Sequence, residues 1–135
     1  MKYLAGFLSA LVILSTSACK KDGGTSSANV SKANAILQGK WKVIGNMISA
    51  GGPMYFVPDN GNDYVEFNTN GVMDGPAFPG FTYFAVKDSV TLYMTKTDKT
   101  TYENYYFTIK TDTLTLSPKG PLVCVEGCAV KLVKE

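Results

Sequence analysis

From Trp41 onward, apolar and polar residues alternate with a period of two, the spacing of a strand with one buried face. Trp41, Val43, Gly45 and Met47 alternate with Lys42, Ile44, Asn46 and Ile48. Tyr64-Val65-Glu66-Phe67 leads into Asn70-Gly71, a strong hairpin signal, and Val72 and Met73 begin the return. Phe81 to Val86 predict the next strand, with Lys87-Asp88 as its turn. Val90, Leu92 and Met94 then alternate with Thr91, Tyr93 and Thr95, and Thr97-Asp98-Lys99 turns the chain. Tyr102 to Ile109 read as an aromatic-rich strand, and Leu114 and Leu116 alternate with Thr113 and Thr115 after the turn Thr111-Asp112. Pro118 to Pro121 predict a break, Leu122 to Val125 an extended piece, and Val130 with Leu132 one face of a last strand. Short strands joined by tight turns predict an all-β barrel or sandwich. Its expected interior is Val65, Phe67, Val90, Leu92, Met94, Leu114, Leu116, Val130 and Leu132.

Upstream the pattern changes. Ser31 to Gln38 predict one or two helical turns, with Ser31 as N-cap, Gly39 just past the end, and Ala35, Ile36 and Leu37 packing on the domain. Lys20 to Ala28 hold no large apolar residue and read as a flexible tether. Before them, Lys2 precedes an apolar run from Leu4 to Leu14, too short for a permanent span. Small residues Ser15-Thr16-Ser17-Ala18 and then Cys19 complete a secretory leader. The reading is therefore a signal peptide over 1–18, a lipidated tether over 19–30 and one domain over 31–135.

The ending of that leader resembles the lipobox of bacterial lipoproteins, in which the cysteine is acylated. That resemblance implies palmitate or a similar chain on Cys19 and a lipid anchor on the cell envelope, at the outer membrane. Ordinary cleavage near Ala18 is the rival reading. Three cysteines are an odd number for an exported chain, and lipid on Cys19 leaves Cys124 and Cys128 as a pair. Their spacing around Gly127 suits a disulfide closing a tight turn; a redox pair would more usually have two residues between and a helix after.

Composition narrows the chemistry. The chain has 135 residues, a formal net charge of +2 and no histidine, and all 13 basic residues are lysines. No histidine means no Ser-His-Asp triad, no Cys-His pair and no imidazole metal ligand. No arginine means no bidentate fork for phosphate or guanine, and the near-neutral charge argues against nucleic acid. Asp and Glu remain as general bases, but no two have interpretable spacing, so an enzyme is not expected. Asp59-Asn60-Gly61-Asn62-Asp63 lacks the donor spacing of a calcium loop and reads as a turn; no cofactor or metal is expected. Asp88-Ser89-Val90 and Asp112-Thr113-Leu114 resemble the O-glycosylation signal of Bacteroidetes but also fit hairpin turns, the preferred reading.

Leu37-Gln38-Gly39-Lys40-Trp41-Lys42-Val43 is a helical turn followed by Gly-x-Trp at the first strand. This resembles lipocalins, and more closely the small lipocalin-like domains of Bacteroidetes lipoproteins. Tyr64 to Gly71, Asp112 to Leu116 and Ala129 to Val133 resemble their later segments. The resemblance implies an up-and-down antiparallel barrel of about eight strands, filled by side chains or holding one small ligand. The arginine that packs on the lipocalin tryptophan is missing here, so Lys131 or Lys134 substitutes for it or nothing does. Gly39 and Trp41 are the expected plug of one end. Loops 51–60 and 75–81 carry Tyr55, Phe56, Phe78 and Phe81, either as packed caps or as an exposed rim. Tyr102 and Tyr106 with Asn104 form the second face of their strand, suited to line a pocket or stack on sugar. Two functions follow: binding of a small apolar or amphipathic ligand, favoured by the resemblance, or a filled barrel contacting a partner protein or glycan. Oligomeric state is not legible.

Overall fold

A computed structural model describes residues 27–125 and 127–135. The leader, Cys19 and most of the expected tether lie outside these residues. Helix α1 (Ser27–Leu37) is followed by β1 (Gly39–Ile48), β2 (Tyr55–Pro58), β3 (Tyr64–Phe67), β4 (Met73–Asp74) and β5 (Phe81–Val86). Then come β6 (Thr91–Lys96), β7 (Tyr102–Lys110), β8 (Thr113–Gly120) and β9 (Cys128–Lys134). The sheet runs β4-β3-β1-β9-β8-β7-β6-β5, with β2 also on β1, and all pairs are antiparallel. Its two ends meet where Val72 bridges Tyr83 and the Phe84 N–H donates to the Gly71 carbonyl at 2.8 Å. The result is a nearly closed barrel.

β2 and β3 share one edge of β1. Lys42 pairs with Tyr64 below, and Gly45 pairs with Pro58 above. Residues 59–63 bulge between them, held by the Asp63 carbonyl accepting from Val43 N–H and the Ile44 carbonyl accepting from Asp59 N–H. The Asp59 carboxylate accepts the Gly61 N–H at 2.7 Å, an Asx turn. At the β6–β7 turn, N–H groups of Thr101 and Thr100 hold the Asp98 carboxyl down to about 2.

Alternation does what the period-two pattern implies over most of the barrel. Val65, Phe67, Leu92, Met94, Leu114, Leu116 and Leu132 are fully buried, and Phe67 meets Phe84 edge-on at 4.9 Å. Val130 is partly buried against this core.

Four expectations need correction. Val90 is exposed, because β6 starts one residue later and Val90 sits in the turn, its N–H held by Asp88 at 2.9 Å. The helix begins at Ser27, so residues 27–30 belong to α1 and Ser31 is inside it rather than capping it. Ala33 and Leu37, one helical turn apart, are buried, while Ala35 and Ile36 are exposed. β8 continues through Pro118 to Gly120; a register shift beside Tyr105 accommodates the missing proline N–H, and Leu122 to Val125 form no strand. Finally, the alternation of Trp41, Val43, Gly45 and Met47 does not carry through β1: its pairing with β9 slips between Val43 and Gly45, so Asn46, not Gly45, lies opposite the half-buried Val130.

Candidate functional site

The barrel has two ends of different character. At one end the first residues of β1 and the last of β9 meet α1. Trp41 is buried there and its Nε1–H donates to the Leu37 carbonyl at 2.7 Å. The Lys134 ammonium lies 5.1 Å above the Trp41 ring and donates to the Ile36 carbonyl at 3.3 Å. Of the two lysines, Lys134 is the one over Trp41, whereas Lys131 lies over Phe56. Gly39, φ +110°, makes the sharp passage from helix to strand.

At the other end the β1–β2, β4–β5, β6–β7 and β8–β9 connections gather. Phe78, in the β4–β5 loop, is buried and packs edge-on against Tyr105 at 5.6 Å. It closes the interior from this side. Between β1, β7, β8 and β9 there remains an apolar dish of about 240 Å³. Ile48, Tyr105, Pro118, Leu122, Ala129 and Val130 line most of it, and Asn46 supplies an amide. The register slip in β1 is what brings Asn46 to this position.

The wall of the dish nearest β9 includes Cys128, which is disulfide-bonded to Cys124 with Cα atoms 5.8 Å apart. Closing so small a ring removes about 2 kcal/mol of chain entropy from the unfolded state. The Leu122 N–H donates to the Glu103 carboxylate at 3.0 Å, and the Asn104 amide donates to the Gly120 carbonyl at 3.0 Å. These bonds tie the β8–β9 loop to β7 and hold Leu122 beside the dish. Burial, with the Glu103 charge adding to it, raises the Tyr105 phenol above its ordinary value. Tyr105 is therefore a neutral O–H group at neutral pH.

The expected rim residues do not form one rim. Tyr55 and Phe56 are exposed on β2, a strand rather than a loop, and Phe56 lies across Gly45, where any Cβ would strike its ring. Phe78 is inside, and Phe81 is half-buried at the start of β5 under Lys96. Tyr102 and Tyr106 stand on the outer wall. The dish nevertheless opens between the two expected loops, since Ile48 pairs with Tyr55 and Tyr105 touches Phe78. Sequence reading missed Asn46, Tyr105 and Leu122 as its lining. A polar residue at Asn46 in an apolar stretch was a signal, but only the slipped register gives it meaning.

Two larger grooves, of about 410 and 310 Å³, flank α1 at the opposite end. They are seams where α1 rests on the barrel through Ala33 and Leu37. None of these cavities is lined by Leu92, Met94, Leu114 or Leu116.

No protein-family model matches the chain, and no curated protein matches it.

Proposed function

We propose that this is a lipid-anchored, lipocalin-like protein of the bacterial cell envelope. It binds a small apolar or amphipathic group at the open end of its barrel. The observation that carries the binding reading is the 240 Å³ apolar dish beside the Tyr105 phenol. Binding sites are concave and mostly apolar, with a few polar groups that orient the ligand. The dish has that character, but it is smaller than the ~300–1,000 Å³ of sites that engulf a drug-sized ligand. It suits a short acyl chain, one ring, or the tip of a larger amphiphile whose remainder stays outside. Asn46 and the Tyr105 hydroxyl are the groups available to a polar head.

The anchor reading rests on the apolar run Leu4 to Leu14 followed by small residues and Cys19. Cells fed a clickable fatty acid should label the wild-type protein and leave Cys19→Ala unlabelled; equal labelling would end this part of the proposal. The acyl-free Cys19→Ala protein then serves for binding. It should enhance the fluorescence of an anilinonaphthalene probe, and Leu122→Asp should weaken that binding tenfold or more, about 1.4 kcal/mol. Leu122 is 60% exposed, so its replacement leaves the melting temperature unchanged.

The second reading is an interaction module with a filled barrel. Exposed Met54, Tyr55, Phe56 and Val57, with Leu122 and Val123 across the same end, favour it. It predicts no probe binding by the parent protein.

A further inference from the structure

The outer wall of the barrel carries a second set of chemistry, distinct from the dish. Cross-strand register places Tyr83, Thr95 and Tyr102 in one row, Ala85, Tyr93 and Asn104 in the next, and Thr91, Tyr106 and Ser117 in the third. Tyrosines thus alternate with small residues over β5 to β8. Directly opposed residues share a face, so the wall is a set of aromatic ridges separated by shallow troughs. Tyr93 and Tyr102 lie together, ring centroids 5.4 Å apart. Thr91 and Thr95 are buried beneath these ridges although they face outward.

Lysines stand over the ridges. Lys87 lies 4.0 Å from the Tyr93 ring, Lys119 lies 4.4 Å from Tyr106 and Lys99 lies 5.1 Å from Tyr83. None of the three lies within ion-pair distance of a carboxylate, although Lys119 donates to the Thr91 hydroxyl at 2.9 Å and its charge adds to the Val90 N–H in holding the Asp88 carboxyl down; the ion pair found among the described residues is Lys40 with Glu135, at the helix end. The acids bordering this wall are occupied by their own turns. Asp88 accepts the Val90 N–H, and Asp98 accepts the N–H groups of Thr100 and Thr101 at 2.9 Å. The wall therefore offers ammonium groups without a close ion-pair partner beside aromatic rings.

We propose that this wall binds an acidic polysaccharide, its sugar rings packing on Tyr102 and Tyr106 and its carboxylates meeting Lys87, Lys99 and Lys119. Tyr102 and Tyr106 are the most exposed rings of this wall, 41% and 48%, although Tyr93 lies beside the first and Lys119 over one side of the second. They are four residues apart on one strand, about 14 Å, which a single sugar cannot bridge. A polymer can, and its anionic groups can reach the lysines that lie over the neighbouring rings. The bulky, patterned tyrosines set this surface apart from a merely basic patch, which would serve any polyanion equally.

The test uses Cys19→Ala protein in affinity electrophoresis through gels containing polygalacturonate, with neutral dextran as control. Single-stranded oligothymidine and phosphatidylglycerol vesicles are compared by competition. Polygalacturonate should retard the protein and dextran should not. Tyr102→Ala and Tyr106→Ala should each weaken retardation tenfold or more, as should Lys87→Gln combined with Lys119→Gln, while Leu122→Asp leaves it unchanged. The lysine pair is exposed and keeps the test valid if a tyrosine variant melts early. The proposal is overturned if polygalacturonate does not retard the protein. It is equally overturned if well-folded tyrosine variants bind as the parent does, or if oligothymidine or vesicles compete better than polygalacturonate itself. Loss of retardation in Leu122→Asp would move the site to the dish and refute the assignment to this wall.

Discussion

Trp41→Ala should lower unfolding free energy by ~3–5 kcal/mol, the cost of emptying a large buried aromatic site. Three interactions converge on this one side chain. The indole is buried, its Nε1–H satisfies the last turn of α1 at Leu37, and Lys134 covers its ring. Its loss opens one end of the barrel and releases the helix together. A domain of this size has only ~5–15 kcal/mol in total, so the variant should sit close to its folding threshold at room temperature. Trp41→Phe separates the contributions. It keeps a ring in the site and loses the hydrogen bond, a cost of roughly 1 kcal/mol plus whatever volume is left unfilled. Urea denaturation monitored by circular dichroism measures both. A Trp41→Ala loss below 1 kcal/mol would mean that the end of the barrel is not sealed by this residue.

Phe78→Ala should cost a similar ~3–5 kcal/mol, because Phe78 is a buried plug packed on Tyr105 and not a member of an exposed rim. Its companion Tyr55→Ala should change stability by less than ~0.5 kcal/mol, since Tyr55 is 52% exposed. In sequence these two residues look alike, as aromatic side chains in segments rich in proline and glycine. The pair of denaturation curves distinguishes them. Equal small effects would return Phe78 to the rim and reopen a path into the barrel from that side.

The difference between Tyr55 and Phe78 shows where sequence stops being informative. Val65 with Phe67, Leu92 with Met94, and Leu114 with Leu116 each announce a buried face through a local period of two, and all are buried. Such alternation needs no knowledge of the partner strand. The β1 slip between Val43 and Gly45 depends on the register against β9, a long-range fact, so the apparent run through Met47 misleads. Val90 continues an alternation by spacing alone, yet the turn held by Asp88 claims it first. The tight ring of Cys124 and Cys128 followed from cysteine count and is present. The dish did not follow, because Asn46, Tyr105 and Leu122 come from separate elements and no local pattern joins them. Lys131 and Lys134 look equivalent in sequence, and only the geometry shows that Lys134 is the one over Trp41.

The central claim is that the barrel interior is filled and that ligand binding is confined to the dish at its open end. Methyl-resolved NMR of labelled Cys19→Ala protein, titrated with alkanoates from butanoate to dodecanoate, tests it directly. Each buried methylene adds about 0.8 kcal/mol, so affinity should rise with chain length and then level off once the dish is full. Methyl signals of Ile48, Leu122 and Val130 should shift, while those of Leu92, Met94, Leu114 and Leu116 stay in place. Affinity that keeps climbing through dodecanoate, with shifts at Leu92 and Leu114, would contradict the account and show a chain entering the barrel.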